Sequence, residues 1–101
     1  MTISFTDRAD DDVQDAFDHY RGKSDTLALE FLDRVEDAVK QINDHPLRYA
    51  PLVQDARKCR LEQFPYSLWY VVRDEITIFA CWHAKRDDAS VRARLNEPKA
   101  P

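Results

Sequence analysis

Apolar residues recur along this chain with three different periods, and each period predicts a different kind of element. Ala9, Val13, Ala16, Phe17 and Tyr20 are spaced by three and four, the stripe of an amphipathic helix. Ala28, Phe31, Leu32, Val35, Ala38, Val39 and Ile42 repeat the pattern over a second helix. Between residues 58 and 62 the period falls to two: Lys58, Arg60 and Glu62 alternate with Cys59 and Leu61, as in a half-buried strand. From Leu68 to Val72 and from Ile76 to Trp82 nearly every position is apolar, so these two strands should be covered on both faces. Ile3-Ser4-Phe5 is a short strand candidate at the start.

Polar residues mark where the elements begin and end. Thr6 and Ser24 are suited to cap the two helices, with Asp7, Asp10 and Asp25 in first turns, where the helix dipole favours anions. Gly22, the only glycine, falls where a left-handed residue would end the first helix, and the short Gly22-Lys23 link predicts an antiparallel helical hairpin. Asn43-Asp44-His45-Pro46 ends the second helix, and His45 there is most simply a partner for the dipole. Residues 47–55 form a proline-bounded connector. Arg73-Asp74-Glu75 does not match the glycine-rich two-residue hairpin turns, so a longer turn is expected. Asp87-Asp88 can start a last helix carrying Val91 and Leu95, with Arg92 and Arg94 exposed. The predicted fold is α+β, in the order β-αα-βββ-α, with the N-terminal helical hairpin packed on a small antiparallel sheet and a short C-terminal helix. One domain should span residues 1–97, and 98–101 should form a loose tail.

Composition and charge narrow the class. The chain has 101 residues, 44% of them hydrophobic, which supports one core and excludes a disordered protein. No apolar run approaches the roughly 20 residues needed to span a bilayer. The first seven residues lack the basic and apolar regions of a signal peptide, so the cytoplasm is the expected compartment. Cys59 and Cys81 lie within predicted strands, outside any CxxC pair, and read as buried free thiols; no metal or cofactor is expected. The net charge of −4 is unevenly spread: residues 1–44 carry −7 and residues 45–101 carry +3. Asp11, Asp12, Asp15 and Asp18 read as a solvated helix face, because no glycine-turned calcium loop accompanies them.

The basic residues of the second half collect at strand ends. Lys58 and Arg60 are two apart and project from one face, with Arg57 beside them, while His83, Lys85 and Arg86 leave the last strand. A sheet that gathers these ends would make a cationic site for a macromolecular target or a phosphodiester, with His83 able to move a proton and Tyr66 and Tyr70 nearby. Against this, cations at strand ends commonly guard sheet edges, and a histidine closing an apolar strand is more often structural than catalytic. Trp69, Phe79 and Trp82 read as core. There is no nucleophile triad, phosphate loop or metal motif.

The order of elements, the segment from Arg57 through the Phe64-Pro65-Tyr66 corner to Tyr70, and the ending His83-Ala84-Lys85-Arg86-Asp87 resemble the RelE/ParE superfamily of small toxins from type II toxin–antitoxin (plasmid stabilisation) systems. The resemblance covers most of the chain. It implies a cytoplasmic toxin neutralised by a cognate antitoxin, whose extended and helical C-terminal segment lies across it in a hetero-oligomer. RelE-like members cleave messenger RNA on the ribosome, and ParE-like members poison DNA gyrase without cleaving RNA. Lys58, Arg60 and Arg86 fall where the first arm keeps basic residues. Ser67, however, stands where that arm has an arginine and Arg92 where it has a tyrosine, and no aromatic follows Trp82. The corner and the His-x-Lys-Arg ending look closer to the ParE-like arm. The resemblance therefore implies growth inhibition by binding, with gyrase as target, and the strand-end cations Arg57, Lys58, Arg60, Lys85 and Arg86 are the residues expected to bind the target or a phosphate. One alternative is a RelE-like mRNA interferase, in which His83 transfers protons while Lys58, Arg60 and Arg86 hold the phosphate. Another is a non-toxic member acting only as a binding module.

Overall fold

A meander of three strands is extended on one side by a strand from the N-terminus, and helices cover both faces of the result. The structure, a computed structural model, describes residues 2–97; the expected tail at 98–101 lies outside the described residues. The elements are β1 (Ile3–Phe5), α1 (Asp7–Arg21), α2 (Asp25–Asp44), β2 (Arg57–Arg60), β3 (Tyr66–Val72), β4 (Ile76–His83) and α3 (Asp88–Leu95). The sheet order is β1-β4-β3-β2. The meander is antiparallel, as its short connections require, but β1 joins β4 in parallel. The sheet is therefore mixed and four-stranded. The helical hairpin together with β2 and β3 makes up the long connection that the parallel β1–β4 pair needs.

The helices form where the apolar stripes predict them. Thr6 Oγ1 accepts the Ala9 N–H and Ser24 Oγ accepts the Leu27 N–H, so each helix starts on a capped turn. Gly22 departs from expectation. Its φ is −61°, in the right-handed region, and the first helix ends instead by tightening: the Lys23 and Ser24 amides both donate to the Tyr20 carbonyl. Among the described residues, the left-handed ones are two glutamines, Gln54 (φ 52°) and Gln63 (φ 70°), which turn the chain before β2 and before the Phe64-Pro65 corner. Arg73 to Glu75 make the longer turn expected between β3 and β4.

Two apolar clusters lie on opposite sides of the sheet. On the first face, Phe31, Ile42, Tyr20 and Ala28 of the hairpin pack on Leu68, Tyr70, Ile76, Ile78 and Cys59. On the second, Val53 and Ala56 of the connector and Val91 of α3 pack on Trp69, Val71, Phe79 and Trp82. Both faces are thus covered, and Trp69, Phe79 and Trp82 are core residues. Phe79 and Ala80 belong to the same cluster because β4 bulges there: Trp69 pairs with Ala80 and Tyr70 with Ile78, leaving Phe79 unpaired. Both cysteines are free and buried.

Candidate functional site

The second face carries the cationic residues, and the strand register explains why. Lys58 pairs with Trp69, and Trp69 with Ala80; Arg60 pairs with Ser67, and Ser67 with Trp82. Side chains in register across a sheet share a face, so Lys58, Arg60, Ser67, Trp69 and Trp82 all stand on one side. Lys58 lies over the Trp69 ring, its Nζ 5.5 Å from the centroid. Arg86 leaves the end of β4 and folds back over Trp82, its guanidinium carbon 4.7 Å from the ring centre. With strands about 4.8 Å apart, the backbones of Arg60 and Trp82 stand roughly 10 Å from one another across Ser67. Cations resting on indole faces keep their charge at the surface while covering apolar rings.

Other predicted site residues stand elsewhere. Arg57 has the parity of Cys59 and Leu61 and turns to the first face, where its guanidinium donates to the carbonyls of Leu47 and Tyr49. It braces the connector and does not join the cationic row. Tyr70 is fully buried on that face too, and its hydroxyl donates to the Pro46 carbonyl at 3.0 Å. Tyr66 packs edge-on against Phe31 and His83. His83 therefore faces away from Lys58 and Arg60, and its Nδ1 accepts the Lys85 amide at 3.2 Å, which leaves Nε2 to carry the ring proton. Lys85 is exposed in the turn after β4. Of the cations, only Arg86 meets His83, along a cleft of about 260 Å³ that also touches Asp12, Asp15, His19 and Tyr66.

Two residues expected to be solvated are not. Arg94 is 9% exposed and Asp12 15%, and they form an ion pair at 3.0 Å. Arg94 also donates to the Phe79 carbonyl at 2.9 Å, and Asp12 accepts the Cys81 amide at 3.1 Å. Both backbone groups lie along β4 beyond the last residue paired with β1, so side chains finish the bonding that a longer β1 would supply. The sequence signal that would have found them is the short length of β1.

Burial dominates the ionisation of the first face. It pushes the thiol of Cys81 up from its ordinary 9.0 to about 12, with the Asp12 carboxylate adding to the effect. Burial likewise raises the Tyr20, Tyr66 and Tyr70 phenols and the Cys59 thiol. These groups are held neutral and are not nucleophiles at pH 7. Among the described residues, no three His, Cys, Asp or Glu side chains are arranged to hold a metal ion, and no helix is long and apolar enough to cross a membrane.

Residues 3–88 match the family described as ParE toxin of type II toxin-antitoxin system, parDE. This chain belongs to the ParE toxin family. A solved structure titled as the chromosomal ParDE toxin–antitoxin system from P. aeruginosa has the same fold, with a TM-score of 0.63 and 24% identity over 82% of this chain and 95% of that one. No curated protein sequence matches the chain. Within the ParE match lie β1, the hairpin, the whole meander, Arg86 and the cap of α3; the body of α3 with Arg94 falls beyond it.

Proposed function

We propose that this ParE-family chain arrests growth by docking on DNA gyrase through the cationic row of its second face, and that it performs no chemistry of its own. The observation that carries this reading is the division of residues between faces. Lys58 and Arg60 stand on the face of Trp82, over which Arg86 rests, while His83 turns to the other face beside Tyr66 and meets Arg86 alone of the cations. An mRNA interferase would need the proton-transferring imidazole among the cations that hold the phosphate. A surface of cations on indoles, by contrast, is suited to binding another macromolecule.

A cognate antitoxin would neutralise the chain by covering the same row. The Leu61 amide donates to the Tyr66 carbonyl, so by alternation the amides and carbonyls of Lys58 and Arg60 point away from β3, along the open edge of β2. An extended acidic segment added to that edge would gain backbone hydrogen bonds and place its carboxylates beside Lys58 and Arg60.

The test is a supercoiling assay with purified gyrase at micromolar toxin, run beside a transcript-cleavage assay on translating ribosomes. Inhibited supercoiling with intact RNA is expected, and inhibition should be lost in Lys58→Ala/Arg60→Ala. Untouched supercoiling would reject gyrase as the target. RNA cleavage that disappears in His83→Ala would reject action without chemistry. Folded protein that causes no growth arrest on induction would leave only a binding module.

A further inference from the structure

The Trp82 indole is shared by two guanidinium groups. Arg86 lies 4.7 Å from its centre and Arg94 4.6 Å. The two cations are not equivalent. Arg94 is neutralised by Asp12 and has its Nη1 on the Phe79 carbonyl, while Arg86 has no carboxylate within ion-pair distance among the described residues. The indole Nε1 is buried and has no acceptor among the described residues, so no hydrogen bond of its own fixes the ring.

Arg94 is also the buried polar attachment of α3. That helix buries Val91 and partly covers Leu95, but Arg92 and Ala93 are exposed. A cleft of about 330 Å³ remains beside it, lined by Val71, Phe79, Arg94 and Leu95 together with the start of α1. The second link, Arg8 to Glu97, is an exposed pair of the kind that holds weakly. A single buried guanidinium thus ties α3 to α1 through Asp12 and to β4 through Phe79, with Trp82 beneath it.

We propose that Arg94 is a positioning residue for the docking row: by keeping α3 closed on Asp12 and Phe79, it fixes the indole on which Arg86 rests. The inference builds on the reading of Arg86 as part of that row. It requires α3 to open as a unit separate from the hairpin core, because regions with few buried apolar contacts open locally at lower cost than the whole fold. Opening removes one cation from the indole, frees the ring and lets Arg86 move with it.

The experiment needs neither gyrase nor antitoxin, so its outcome is independent of whether the chain is toxic. Amide hydrogen exchange and the Trp82 indole N–H resonance are followed in the full chain, in Arg94→Met and Arg94→Lys, and in each combined with Arg86→Ala. Arg94→Met should speed exchange across residues 88–95 at least tenfold while Phe31 and Val35 in α2 keep their rates. Arg94→Lys should recover part of the protection, since an ammonium can pair with Asp12 but cannot also reach Phe79 and stack on the ring. Arg86→Ala should shift the indole resonance in the parent chain and shift it less in the Arg94→Met background. Equal acceleration in α2 and α3 would show that the pair belongs to the global core and would overturn the proposal. Unchanged α3 exchange, or strictly additive shifts of the indole resonance, would overturn it as well.

Discussion

The two faces of the sheet are built on different physics. The face under the hairpin is a closed aromatic and aliphatic core, in which Phe31 is fully buried against Tyr20, Phe64 and Tyr66. The opposite face buries its indoles too, but beneath lysine and arginine, and it borrows charged side chains to complete its backbone hydrogen bonds. Area removed from water holds the first together, and a few directional contacts organise the second. A fold that concentrates its stability on one side leaves the other free to carry residues chosen for recognition.

Substitutions that separate the two faces test this division. The largest loss is expected from Phe31→Ala, about 3–5 kcal/mol by denaturant unfolding, because a fully buried ring leaves a cavity its neighbours cannot close. A loss under about 1 kcal/mol would mean that the hairpin face is not the main core. Alkaline titration addresses the same face. A buried thiol raised to about 12 stays neutral in the folded state while the unfolded chain ionises above its ordinary 9.0. Its stabilising effect is therefore complete below pH 9 and is lost as pH climbs toward 12, with the buried tyrosines adding to the decline. Cys81→Ala should flatten the thermal-midpoint profile in that window. Tyr70→Phe removes only the hydroxyl bonded to Pro46 and should cost about 1 kcal/mol.

Effects on the second face should be smaller and of another kind. Asp87 caps α3, and its carboxyl is held below the usual carboxylate value because it accepts the Ser90 amide and hydroxyl. The cap is intact above pH 3.8 and fails as pH drops through its lowered value, so acid should fray α3 first by amide exchange. Lys58→Ala with Arg60→Ala should change unfolding by less than about 0.5 kcal/mol while abolishing growth arrest. A large stability loss there would mean that the row is structural.

Periodicity made the hairpin, the meander and both capped helix starts readable, because local spacing alone decides which side of an element is apolar. What it could not supply was pairing between distant segments. Nothing local states that Ile3 to Phe5 lies parallel to Ile76 to Ile78, or that Asp12 and Arg94, 82 positions apart, close the strand edge left by so short a β1. The same limit applied to the candidate residues. Lys58 and Arg60 were readable as neighbours on one face, but Arg57 turned out to brace the connector from the other. Gln54 and Gln63 escaped notice as turn residues because side-chain type points to glycine or asparagine for left-handed backbone, and the one glycine lies elsewhere.

The unpaired Phe79 has a consequence for which aromatic ring the arginines meet. Strict odd–even counting from Ile76 and Ile78 would send residue 82 toward the hairpin and residue 83 toward the cations. One supernumerary position resets that count, so an indole, whose character does not change with pH, takes the place an imidazole would have held. Deleting residue 79 would straighten the strand and still leave the indole under the cations, because Ala80 already pairs with Trp69 and the alternation from there is unbroken.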